Sequence, residues 1–182
     1  HKTKLVPGAE RIPFPYLLNS ISAFSVDLGG ITGSLGKANS IYTFSIEDQH
    51  ITPLICYESV FGEMSSFSPS NLLCVITNDG WWKNTAGYKQ HLAYARLRAI
   101  EQRKYVIRSA NTGISGVISP LGNIIESTKW DQAISIKQNI ILNNNITFYH
   151  QYGDYIGRIS AFVSSILLIL LFVKSRLNST LH

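Results

Sequence analysis

Paired metal ligands, a cysteine framework and basic runs are all missing from this 182-residue chain. It holds two cysteines, Cys56 and Cys74, separated by an apolar strand-like run. That spacing indicates neither a disulfide framework nor a thiolate metal cluster. Its five histidines stand at no ligand spacing, so no metal site and no cofactor is expected. Charged residues make up only 15%, and although the net charge is +5, no Lys/Arg run exceeds two. Scattered basic residues of this kind do not mark a nucleic-acid partner. Internal repeats and low-complexity tracts are also lacking, which excludes solenoids and linker-like chains.

Apolar residues, by contrast, reach 45%, and part of that surplus is local. "ISAFVSSILLILLFV", Ile159 to Val173, carries no charge and is followed directly by "KSR". Fifteen helical residues span roughly 22 Å, and adding Tyr155, Ile156, Gly157 and a snorkelling Arg158 brings this to about 28 Å. A hydrocarbon core is ~30 Å thick, so a transmembrane helix over 155–175 is expected, with 176–182 as a tail. A buried helix of a soluble domain is the alternative. The basic flank makes the tail the cytoplasmic side, and Tyr149, Tyr152 and Tyr155 form an aromatic cluster at the other end.

Upstream, strands alternate with helical stretches. "HITPLIC" reads as a strand, "SVFGEMSSF" as a short helix and "NLLCVIT" as a second strand. "YKQHLAYARLRAIEQRKY" is the longest soluble helix pattern, with Leu92, Ala95, Ala99 and Ala93, Leu97, Ile100 forming a broad apolar face. Arg96 falls inside that face, so it is either snorkelling or paired with a buried carboxylate. "YVIRSA" and "ISGVIS" read as strands, and "SPLGNI" turns the second into "NIIES". "HKTKLVPGAERIPFP" and the glycine-rich "VDLGGITGSLGKANS" read as loop. This order predicts an α/β layered domain.

Within it, "PLICYES" places Cys56 where an apolar strand stops. Cysteine is usually an inert core filler, and that is the reading for Cys74 inside its strand. At the end of a strand a thiol sits on a sharp turn, where the Tyr57 N–H faces a developing oxyanion and Glu58 orients a base or a cation. A nucleophile also needs a proton acceptor. Neither His50 nor His91 is placed by spacing to meet Cys56, so core residue and nucleophile both stay open at this point.

Taken in order, "HKTKLVPGAERIP", "ICYES", "TNDGWW", "QHLAYARLRAIEQR" and "RSANTGISGVISPLGNI" resemble the nitrilase-like domain of the apolipoprotein N-acyltransferase family. The resemblance runs from residue 1 to about 158 and implies the C-terminal part of an α-β-β-α sandwich over 1–154, followed by that family's last membrane span. It makes Cys56 the nucleophile that carries an acyl chain as a thioester. Lys2 becomes the catalytic lysine, Glu10 and Glu58 become supporting carboxylates, and Lys4 is a neighbour without that role. The competing readings are a solvated terminal lysine for Lys2 and a loop ion pair with Arg11 or Lys4 for Glu10. Implied partners are a phospholipid acyl donor, a diacylated apolipoprotein acceptor and a bacterial inner membrane, with the domain on its periplasmic side. A nitrilase-type amidase is the alternative activity, and an inactive membrane-anchored domain a third. Two departures stand out. The family's general-base glutamate lies upstream of the lysine motif, so the chain reads as a C-terminal piece with one sheet edge bare. Lys83 also stands where glycine is common.

Overall fold

The computed structural model describes residues 2–11, 35–66 and 69–180. Its centre is a six-stranded sheet in sequential order: β1 (Phe44–Ile46), β2 (Gln49–Ile55), β3 (Leu72–Thr77), β4 (Tyr105–Ala110), β5 (Gly116–Ile118) and β6 (Ile124–Ser127). The three middle strands β2, β3 and β4 are parallel, while β1, β5 and β6 join as antiparallel neighbours. The hairpin turn between β5 and β6 falls where "SPLGNI" places it. Gly122 takes φ +79°, and its N–H donates to the Ser119 carbonyl at 2.8 Å.

Parallel strands need crossovers. From β3 to β4 the crossover is α1 (Ala86–Gln102), capped by the Thr85 hydroxyl, which accepts from the Gly87 N–H. From β2 to β3 its described residues form no α-helix. The stretch read as a short helix forms two 3-10 turns, Cys56–Val60 and Gly62–Met64. Strand alternation decides what packs. Leu54, Leu73, Val75, Val106 and Ile118 share the sheet face covered by Leu92, Ala95 and Ala99 of α1. The two alanines let the helix approach closely.

Four sequence expectations are corrected here. The apolar face of α1 is narrower than read, since Leu97 and Ile100 are exposed. Arg96 is exposed and donates from Nε to the Gly122 carbonyl at 2.7 Å; Arg98 is the buried arginine, paired with Glu101 at 2.9 Å. Cys74 is half-buried rather than core, because it points to the sheet face opposite α1, where Ile76 is 56% exposed. Finally, the edge of β2 ahead of Cys56 is paired, by β1. The glycine-rich segment lies mostly outside the described residues.

A short helix, α2 (Phe148–Tyr152), packs on the C-terminal end of α1. The Thr147 hydroxyl donates to the Glu101 carbonyl at 2.6 Å, and His150 Nδ1 lies 2.7 Å from Gln102 Oε1. Helix α3 (Tyr155–Thr180) follows. Within its 22-residue stretch Tyr155–Arg176 an 18-residue window has a mean hydropathy of 2.3 and is not buried against the domain, so the helix is long and apolar enough to cross a membrane.

Candidate active site

Cys56 directly follows β2 and adopts φ +53°, a left-handed conformation uncommon for a side chain with a Cβ. The cost is of order 1–3 kcal/mol and persists only where surroundings enforce it. Two sets of contacts do so.

The first set involves Glu58, 2% exposed inside the turn. Its Oε2 accepts from the Ile55 N–H at 2.7 Å, capping the turn. Its Oε1 accepts from both the backbone N–H and the hydroxyl of Thr3, the latter at 2.7 Å. Glu58 thus ties the N-terminal segment to the Cys56 turn. Within that segment the Lys2 ammonium donates to both oxygens of Glu10, at 2.9 and 2.7 Å, and Glu10 Oε2 also accepts from the Val6 N–H at 2.8 Å. Lys2 is therefore not a solvated terminal lysine: its side chain is 10% exposed. Glu10 pairs with Lys2 rather than with Arg11 or Lys4. Lys4 turns away, to Glu63 at 3.1 Å and over the Phe61 ring.

The second set was not legible from spacing. His91 on α1 is buried and reaches the Cys56 carbonyl with Nε2 at 3.1 Å and the Ser59 hydroxyl at 2.9 Å. The Ser59 hydroxyl itself donates to that carbonyl at 2.8 Å. Behind the ring, Nδ1 lies 3.0 Å from Asp79 Oδ1, and Asp79 Oδ2 accepts from Arg108 at 2.7 Å. Burial pushes the Asp79 carboxyl up, but its hydrogen bond with His91 and the Arg108 charge outweigh this and hold it below the usual range. Gly113 lies so close to Asp79 that any Cβ there would collide with the carboxylate. Because a peptide unit is planar and trans, a fixed Cys56 carbonyl also fixes the Tyr57 N–H, which points the opposite way within the same plane. That N–H has no acceptor inside the turn, the arrangement of an oxyanion donor.

Cys56 and Tyr57 line a cavity of about 340 Å³ with Val6, Val60, Trp81, Trp82 and Tyr94, and His91 closes its inner side. The lining is dominated by apolar and aromatic side chains. From the N-terminal segment it is Val6, not Lys2, that lines this cavity. At its rim Lys83 adopts φ +47°, ψ −159°, a region otherwise occupied almost only by glycine, which matches the departure noted in the sequence. Among the described residues no group of acidic, histidine and cysteine side chains could hold a metal ion.

Cys56 thus stands in a turn at the end of a parallel strand on a mixed α/β sheet, with its carbonyl held by polar groups, and it lines an apolar cavity. Residues 1–139 match the family model for carbon–nitrogen hydrolase, and the chain belongs to that family. Within it, the chain is 31% identical over 182 residues to an apolipoprotein N-acyltransferase of Chlorobaculum tepidum, aligning 96% of this chain and 34% of that one. It is 40% identical over 128 residues to one of Agrobacterium fabrum, aligning 68% of this chain and 24% of that one. The chain thus spans about a third of the length of the relatives it matches. Among solved structures, yeast Nit3 of the nitrilase superfamily aligns with 55% of this chain and 41% of its own, at 20% identity and a TM-score of 0.49.

Proposed function

We propose that the protein carrying this chain is a membrane N-acyltransferase that moves an acyl chain from a phospholipid to the α-amino group of a diacylglyceryl-cysteine. The observation that carries this reading is the apolar aromatic cavity around Cys56 in a chain that also bears a 22-residue uncovered apolar helix. An acyl chain fits such walls, and a lipid donor requires chemistry beside a bilayer.

The Cys56 thiolate attacks the ester carbonyl of the donor, and the oxyanion forms against the Tyr57 N–H, with Lys2 assigned as the supporting cation. Collapse breaks the carbon–oxygen bond, the glycerol oxygen takes a proton, and a lysophospholipid leaves. The acceptor amine then attacks the thioester carbonyl, loses a proton and expels the thiolate, leaving an amide. The names of the relatives support this acceptor class.

The test is an intermediate that waits. With phospholipid present and acceptor absent, the intact mass of the protein rises by one acyl chain, and hydroxylamine removes it. Hydrolysis of a small amide with no adduct from any phospholipid would replace this reading by an amidase. For topology, Tyr149, Tyr152 and Tyr155 precede the uncharged run Ile159–Val173 while Lys174 and Arg176 follow it, which supports a domain outside the cytoplasmic membrane. A reporter that works only in the periplasm, fused after His182, stays silent; an active one reverses the orientation.

A further inference from the structure

The end of the sheet away from Cys56 carries a second polar cavity. Cys56 follows the C-terminal end of β2, whereas Asn71 and Lys104 immediately precede β3 and β4, strands parallel to it. These two, with Ser70, His50 and His150, line a cavity of about 230 Å³. Lys104 is 2% exposed and has no hydrogen-bond or ion-pair partner for its ammonium among the described residues. A buried ammonium without a counter-charge is among the costliest arrangements a fold can hold. The carboxylate at the cavity is Asp48, which is exposed and forms no ion pair with Lys104.

The polar groups around Lys104 have protein partners of their own. Gln102 uses its amide NH2 on Ser65 and Ser66, both at 3.3 Å, so its oxygen faces His150 and accepts from Nδ1 at 2.7 Å. That tautomer leaves His150 Nε2 as the nitrogen able to take up a proton. Asn71 receives the His50 N–H on its oxygen and gives its NH2 to Asn144. We propose that this cavity binds a phosphate group, free or as a lipid headgroup, through Lys104 and His150. Burial already pulls both groups toward their neutral forms, and for His150 the Lys104 charge adds to it, as expected of cations lacking an anion. A water takes ~30 Å³ of liquid, so a tetrahedral oxyanion has room. His150 lies on α2, five residues before the start of α3, which puts the cavity beside the end from which the apolar helix leaves.

The experiment follows thermal unfolding of the intact protein in detergent as inorganic phosphate replaces chloride at constant ionic strength. The midpoint rises saturably by several degrees. Lys104→Met loses the rise and, without phosphate, melts no lower than the parent, because the uncompensated charge is gone. Asp48→Asn lowers the half-saturating concentration at least two-fold. In nanodiscs, phosphatidylglycerol that suppresses the phosphate effect, where an uncharged glycolipid does not, identifies a lipid headgroup; additive effects identify the free anion. No saturable rise, an undiminished rise in Lys104→Met, or a lower phosphate-free midpoint in that variant overturns the proposal. The last result would mean that Lys104 already has a counter-ion. No arm measures acyl transfer, so the outcome is independent of the chemistry at Cys56.

Discussion

The two cysteines belong to neighbouring strands and differ in nearly everything that governs a thiol. Cys74 sits in the regular middle of β3, where burial alone acts on it and pushes the thiol up, away from thiolate. Cys56 sits one residue beyond β2, in a left-handed turn, beside an apolar cavity, with its carbonyl gripped by His91 and Ser59. Residue type is the same; backbone position and polar bracing are not. The proposed reactivity of Cys56 therefore rests on its place at the strand end rather than on residue type.

The bluntest way to break the comparison is to remove each thiol in turn. Cys56→Ala should abolish the acyl adduct, a loss of four orders of magnitude or more by the scale of nucleophile deletions, while Cys74→Ala keeps it within about three-fold. Intact-mass measurement after phospholipid exposure decides, and an adduct lost only in the Cys74 variant would reverse the assignment. Next is the bracing. Asp79→Asn leaves Arg108 buried without its counter-charge and should cost about 3–5 kcal/mol in denaturant unfolding. Because the Asp79 carboxyl is held below its unfolded value, its contribution is complete above about pH 4 and lost as pH falls through the lower folded value. The acid limb of the stability profile should therefore flatten in Asp79→Asn. An unchanged limb would remove Asp79 from the brace.

Lys2→Ala comes third. Loss of a cation that stabilises the oxyanion should slow thioester formation by 10²–10³, about 2.7–4 kcal/mol, read as the rate of adduct appearance. A rate within three-fold of the parent would leave Lys2 as a partner of Glu10 alone. The smallest effect sharpens the distinction between useful and idle strain. Lys83 holds a glycine-like conformation with no hydrogen bond to its side chain among the described residues, so Lys83→Gly should stabilise the fold by about 1 kcal/mol at unchanged adduct rate. Destabilisation would show that the lysine side chain contributes something the backbone does not.

Much of this was legible in the sequence because period and punctuation agreed. β2, β3, β4 and the β5–β6 hairpin fall within a residue or two of their apolar runs, and the end of β2 at Cys56 was visible as a sudden break. The β2–β3 connection misled because "SVFGEMSSF" has helical composition, yet Glu58 spends its carboxylate on Ile55 and Thr3 and holds the chain in a 3-10 turn. The three-residue β1 carried too short a pattern to read. His91 was missed for a geometric reason. Its contact with Cys56 spans 35 positions and depends on how α1 lies across the sheet, which no local spacing encodes. The one hint was that His91 and Arg108 fall on the packed faces of α1 and β4.

Glu58 also changes how the chain's length should be regarded. Its bond to Thr3 joins positions 55 apart, so the site is closed by a clasp rather than by continuous backbone. Closing a flexible tether depends only logarithmically on its length, each doubling costing about 0.6 kcal/mol. One hydrogen bond to a buried carboxylate offsets that, at about 1.5–3 kcal/mol. By the same reasoning, a peptide of residues 1–11 supplied separately should dock on Glu58 in a chain that lacks it, limited by concentration rather than by connectivity.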